Sequence, residues 1–217
     1  MVVNVRVIIE DSPAKACVKA ASIIARQVHR KPASVLGLAT GGSPIGVYEE
    51  LARLHDLGEL DFSEATTFNL DEYVGLGPDH PQSYRYFMRT HLFDHVNLPQ
   101  GSTYVPDGRS LDFDAYCESY ESKIREYGGI DLQLLGIGTD GHIAFNEPGS
   151  SLGSRTRLKT LTSETIRDNA RFFGSEDAVP RLAVTMGVGT ILESRCCLLI
   201  AYGEHKRIAI AQAVEGP

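Results

Sequence analysis

"LLGIGTDGHIAFNEPGSS", residues 134–151, is the stretch on which the fold turns. An apolar run, Leu134-Leu135-Gly136-Ile137, empties into glycines, and Asp140, His142 and Glu147 follow within eight positions. Extended backwards to "IDLQLLGI" (130–137), the run reads as a short strand covered on both faces, as strands of parallel sheets are. In open α/β sheets, ligands sit beyond the carboxyl ends of the strands. An acid, an imidazole and a second acid just after such a strand therefore mark a place for chemistry.

Outward from this strand, apolar periodicity switches repeatedly between two residues and 3.6. Upstream, "NVRVIIE" (4–10), "SVLGLA" (34–39) and "ATTFNL" (65–70) read as strands. Between them, Ser12 is placed to cap a helix with Pro13 at its first position, and Ala16, Ala20, Ile23, Ile24 and Val28 follow at helical spacing. "PIGVYEELARLHDLG" (44–58) is a second helix, with Gly58 as its stop. The stretches 81–96 and 112–128 are mostly helical. Downstream, "TRLKTLT" (156–162) reads as a strand and "SETIRDNARFF" (163–173) as a helix, and segments 181–186, 187–194, 196–203 and 204–216 continue the alternation. Strands alternating with helices predict an α/β protein: a largely parallel sheet covered by helices on both faces. No Pro/Gly/Ser linker or repeat interrupts residues 1–217, which predicts a single domain.

Composition narrows the partners. The 217 residues carry a net charge of -7 and no basic stripe, which argues against nucleic acid. No run of 18 apolar residues exists, and the first residues lack the layout of a signal peptide, so no membrane partner is expected. The four cysteines, Cys17, Cys117, Cys196 and Cys197, form no CxxC pair and read as reduced, cytoplasmic thiols.

The strand rule gives three further places to look. "ATGGSP" (39–44) sets two glycines before a helix start, where backbone N–H groups attract anions, phosphate above all; a plain tight turn is the other reading. "FNLDEYVGL" (68–76) puts Asp71 and Glu72 directly after a strand. Adjacent residues of an extended chain face opposite ways, so only one of them belongs to a pocket. Lys206, in "AYGEHKRIAIA" (201–211), starts a helix, where a cation is unfavourable unless an anion binds there too. Arg171 raises the same question. At the opening stretch, His142 between carboxylates is suited to exchange protons near neutral pH. A divalent ion held by Asp140, His142 and Glu147 is the rival reading, but no second His or Cys cluster supports a metal. A serine hydrolase is disfavoured because no GxSxG occurs.

Taken in order, "LATGGSPIGVYEEL", "TFNLDEYVGL", "HPQSYRYFM", "GIGTDGHIAFNEPGSSLGSRTR", "NARFF", "MGVGTILES" and "AVEG" resemble glucosamine-6-phosphate deaminases, from about residue 36 to 216. The resemblance implies a doubly wound, Rossmann-like fold of the deaminase/isomerase type, with helices on both faces of a largely parallel sheet. It implies conversion of glucosamine 6-phosphate and water to fructose 6-phosphate and ammonia in amino-sugar metabolism, with no metal and no organic cofactor. The partner is then a small phosphosugar, and the chain a monomer or homo-oligomer. By the same resemblance Asp71 moves a proton between carbons 2 and 1, and His142 opens the ring with Asp140 and Glu147 as its carboxylate partners. Thr40, Gly41, Gly42 and Ser43 match the phosphate loop, and Arg171 and Lys206 its cations. Ser150, Ser151, Arg157 and Lys159 match positions of an allosteric site found in some members. The family normally continues beyond "AVEGP" into a further strand and a C-terminal segment, so that piece is expected to be missing and activation is not expected. A 6-phosphogluconolactonase, similar in fold and phosphate loop, and a non-catalytic sugar-phosphate sensor are the alternatives. "TFNLDEY" and "HIAFNEP" favour the deaminase.

Overall fold

The computed structural model describes residues 5–216. Five parallel strands form the main sheet: β1 (Val35–Leu38), β2 (Thr66–Asn69), β4 (Thr103–Tyr104), β5 (Leu132–Leu135) and β8 (Cys197–Leu199). Their order is β4-β2-β1-β5-β8. The chain therefore leaves β1 in one direction through β2 and β4, then returns to the other side of β1 for β5 and β8. That reversal opens a crevice between the ends of β1 and β5, the place where doubly wound sheets hold ligands.

Helices cover both faces, as the pattern predicts. Alternate residues of one strand feed different cores: Leu36 and Leu38 of β1 join Leu132 and Leu134 of β5 on one face, while Val35 and Leu135 point to the other. On the first face pack α1 (Pro13–Arg30), α2 (Ile45–Asp56) and α3 (Tyr84–His91), which contribute Ile24, Val47, Leu51 and Met88. On the second face pack α4 (Phe113–Glu126) and α6 (Val188–Leu192), through Tyr120, Ile124 and Ile191. Burying each such aliphatic side chain contributes about 1.5–3 kcal/mol. The expected cap is present: Ser12 accepts from the Lys15 N–H at 3.3 Å, and Pro13 opens α1.

The sequence does not announce a second, antiparallel sheet of order β3-β7-β6, formed by β3 (Asp71–Tyr73), β7 (Leu182–Thr185) and β6 (Arg157–Thr160). It carries α5 (Ser163–Phe173) over its own small core of Tyr73, Phe145, Leu161, Ile166 and Ala183. Asp71, just after β2, is thus the first residue of β3, paired with Thr185. The chain closes with α7 (Arg207–Glu215).

The expected strand at 4–10 does not form over residues 5–10. Asn4 lies outside the described residues. The alternating pattern permits a strand, but a strand exists only when an edge pairs with it. Here Val5 and Ile9 are 71% and 90% exposed, and no ladder reaches them. Among the described residues no helix is long and apolar enough to cross a membrane.

Candidate active site

A cleft of about 370 Å³ opens over the crevice and draws on four strand ends: Gly42 after β1, Asp71 after β2, His142 after β5 and Lys206 after β8. Arg171, from α5, closes its side. The distant segments singled out in the sequence therefore meet at one rim of the main sheet.

Each wall has a local cause. After β1, Gly41 takes φ +92, a conformation that side chains disfavour, and this turns the chain sharply into α2. The α2 N-terminus has no side-chain cap, and among the described residues no hydrogen bond engages the N–H groups of Thr40, Gly41, Gly42 or Ser43. Together with the α2 dipole they make a cradle for an anion. Lys206 and Arg171 supply full positive charge beside it. Loss of hydration holds Lys206 below the ordinary lysine range, and Asp168 acts against that shift.

Asp71 and Glu72 divide as adjacent residues of a strand must. Asp71 is buried at the cleft wall, and burial, reinforced by the charge of Glu72, pushes its carboxyl up to about 8. Glu72 turns to structure instead. It accepts hydrogen bonds from the N–H groups of Tyr73 and Tyr84 at 2.9 Å and of Arg85 at 3.0 Å, capping the start of α3. Burial still raises Glu72 to about 7 against the pull of those donors. The cap holds Tyr84 against the cleft, where its hydroxyl donates to that of Tyr73 at 3.3 Å.

At the end of β5, His142 Nδ1 lies 2.6 Å from Asp140 Oδ1, and the His142 N–H reaches the same oxygen at 3.2 Å. Burial raises the Asp140 carboxyl, but the His142 N–H and ring outweigh it and hold it below its usual range. An ionised carboxylate only accepts, so Nδ1 carries a proton, and the tautomer this selects for the neutral ring is the one with the lone pair on Nε2. The ring lies directly over Gly138: a Cβ there would stand 2.3 Å from it. Ala144, in the same loop, sits at φ 51, and Asn146 pins the turn by donating to the carbonyls of Ile143 at 3.1 Å and Met186 at 2.8 Å.

Glu147 departs from its expected place. Its carboxylate accepts from Thr162 N at 3.0 Å and Thr165 Oγ1 at 2.9 Å, and makes no hydrogen bond to His142. It ties the His142 loop to the N-terminus of α5, because Thr162 caps that helix. Among the described residues no group of three or more His, Cys, Asp or Glu side chains is arranged to hold a metal ion. Ser150, Ser151, Arg157 and Lys159 lie outside the cleft; Arg157 lines a separate groove of about 530 Å³ with Arg125, Arg155 and Glu121.

Sequence reading missed Tyr84, Tyr202, Asp168, Asn169 and Phe172, all of which line the cleft. A signal for α5 existed: Thr165, Asp168, Asn169 and Phe172 share one helical face at i, i+3, i+4 and i+7. Tyr202 had none.

A doubly wound sheet with an uncapped anion loop at its switch point defines the class of α/β proteins that bind phosphorylated ligands at that crevice. Residues 10–217 match the family of glucosamine-6-phosphate isomerases and 6-phosphogluconolactonases, and the chain belongs to it. Within that family it is 54% identical to the glucosamine-6-phosphate deaminase of Halothermothrix orenii, over 97% of this chain and 88% of that one. It is 52% identical to that of Cellvibrio japonicus, over 98% and 81%. A solved structure of a monomeric glucosamine-6-phosphate deaminase, 44% identical, superposes with a TM-score of 0.96 over 98% of this chain and 88% of that one. The 6-phosphogluconolactonase of Thermotoga maritima is 22% identical with a TM-score of 0.73, over 96% and 88%, a likeness of fold alone.

Proposed function

We propose that this chain converts glucosamine 6-phosphate and water to fructose 6-phosphate and ammonia. One observation carries the reading: an anion cradle, a buried carboxyl and an Asp-oriented imidazole face one cleft. The identity to deaminases supports the substrate.

Each group then has a role. The N–H groups of Thr40–Ser43, with Arg171 and Lys206, grip the phosphate, and this remote binding holds the reacting carbons in place. His142 Nε2 takes the proton of the anomeric hydroxyl and delivers one to the ring oxygen, while Asp140 stabilises the imidazolium formed between the two transfers. Asp71, in its ionised form beside the substrate's ammonium group, removes the proton from carbon 2 and returns it to carbon 1. The carbonyl oxygen at carbon 1 becomes a hydroxyl with a proton given up by the ammonium group at carbon 2, and that carbon becomes an iminium. Water adds to the iminium, and ammonia leaves. Glu147 acts at one remove, by holding the His142 loop against α5.

The work falls within one catalytic domain, and its partner is the phosphosugar. A cytoplasmic setting suits the four unpaired cysteines, two of them exposed. By likeness to the monomeric relative the chain acts as a monomer. The deciding experiment measures fructose 6-phosphate and ammonia from glucosamine 6-phosphate, beside hydrolysis of 6-phosphogluconolactone. Stoichiometric ketose and ammonia are expected; lactone hydrolysis without ammonia release would overturn the reading.

A further inference from the structure

We propose that two tyrosines, Tyr48 and Tyr202, are positioning residues that set the polarity of the anion loop by holding its carbonyl groups away from the ligand. The inference rests on the phosphosugar reading and deepens it. A loop rich in glycine has no intrinsic reason to aim its N–H groups at a ligand rather than its carbonyls, and peptide planes in such a loop flip easily. In a trans peptide the C=O and the following N–H point in opposite directions. Fixing a carbonyl therefore aims the next N–H.

Both ends of this loop are fixed in that way. The Tyr48 hydroxyl, buried on α2, donates to the carbonyl of Ala39. Tyr202, just beyond β8, donates to the carbonyl of Gly42 at 2.9 Å and also approaches that of Ser43 at 3.4 Å. The paired carbonyls aim the N–H groups of Thr40 and Ser43 away from the two hydroxyls. Those N–H groups have no hydrogen bond among the described residues. The third carbonyl, that of Ser43, precedes Pro44, which has no N–H to aim. Burial raises both phenols above their ordinary range, so each remains a donor throughout the working pH range. Tyr202 also ties the last strand of the sheet to the loop of the first, across the crevice that Lys206 enters from the same segment. The loop and the cation opposite it are thereby held in register.

The test compares wild type with Tyr202→Phe and Tyr48→Phe, which remove only a hydroxyl. Binding of inorganic phosphate is measured by calorimetry, and turnover on glucosamine 6-phosphate and on unphosphorylated glucosamine. Tyr202→Phe should weaken phosphate binding and raise KM for the phosphosugar by about three- to tenfold, as loss of one hydrogen bond of ordinary strength does. The fall in kcat should be smaller, and the preference for the phosphorylated sugar should narrow by the same factor. Phosphate affinity and KM within twofold of wild type would overturn the proposal, as would equal losses on both sugars, which mark general loosening. If Tyr48→Phe folds poorly, Tyr202→Phe decides alone. A wild-type chain that neither binds phosphate nor turns over the sugar would instead sink the phosphosugar reading, and this proposal with it.

Discussion

The two sheets meet the cleft on different terms. In the five-stranded sheet, every residue of β1, β2 and β5 is buried, and both faces are covered by helices. In the three-stranded sheet, β6 alternates between half-buried and exposed residues, and α5 covers a small core. The rigid sheet supplies the anion loop and the imidazole. The lighter one supplies Asp71 at its start and Arg171 through its helix. Both sheets thus contribute one group for binding and one for proton transfer, and Asp71 itself stands in a fully buried strand, so the lightness of the second sheet is confined to β6 and the α5 side.

The largest expected effect tests the joint between the sheets. Asp71→Asn should lower kcat by about 10²–10⁴-fold, the usual share of one general base, while binding of the substrate persists; near-wild-type turnover would remove Asp71 from the proton path. His142→Gln should cost about 10²-fold on the closed sugar and far less on substrate already opened, and equal losses on both forms would contradict ring opening as its task. Packing sharpens the contrast next. Leu134→Ala, fully buried in β5, should cost about 2–5 kcal/mol in denaturant unfolding. Leu158→Ala in β6, 38% exposed, should cost less than about 1 kcal/mol. Similar costs would erase the distinction between the two sheets. Lys206→Ala should raise KM for the phosphosugar by about ten- to a hundredfold, the worth of a charge-assisted hydrogen bond; an unchanged KM would place Lys206 elsewhere.

A separate effect concerns pH. The folded chain keeps the Asp71 proton up to about 8, against an ordinary value near 3.8. Between those values the native state binds more protons than the unfolded one, so this carboxyl takes stability away as pH rises. Asp71→Asn should therefore gain stability over wild type progressively from pH ~4 to ~8 and keep the gain above that. Urea midpoints at acid and alkaline pH check the sign. Glu72 shifts the same way and its charge reinforces the Asp71 shift, so the difference reads Asp71 together with that coupling.

Much of this was legible residue by residue. Ser12 and Pro13 begin α1 because an orphan N–H needs an acceptor and a proline needs none. Gly58, at φ +70, follows α2 where expected. The apolar run before Gly136 is β5, and the carboxylate two residues before His142 does orient its ring. These are contacts between near neighbours, and a local pattern encodes them. The strand expected over residues 4–10 shows the limit: its alternation is real, but pairing depends on an edge that the segment does not reach.

The sequence by itself determined the alternation of strands and helices, the loops at the strand ends and the set of groups available for chemistry, because periodicity, caps and turns act over a few residues. Only the tertiary structure decided which of Asp71 and Glu72 faces the cleft, that Glu147 serves Thr162 and Thr165 rather than His142, and that Tyr202 reaches Gly42. Each of those outcomes turns on a partner brought from far along the chain, as when β3 pairs with β7. A carboxylate or a phenol takes whichever donor or acceptor the packed elements set within about 3 Å of it, and no local pattern names that partner.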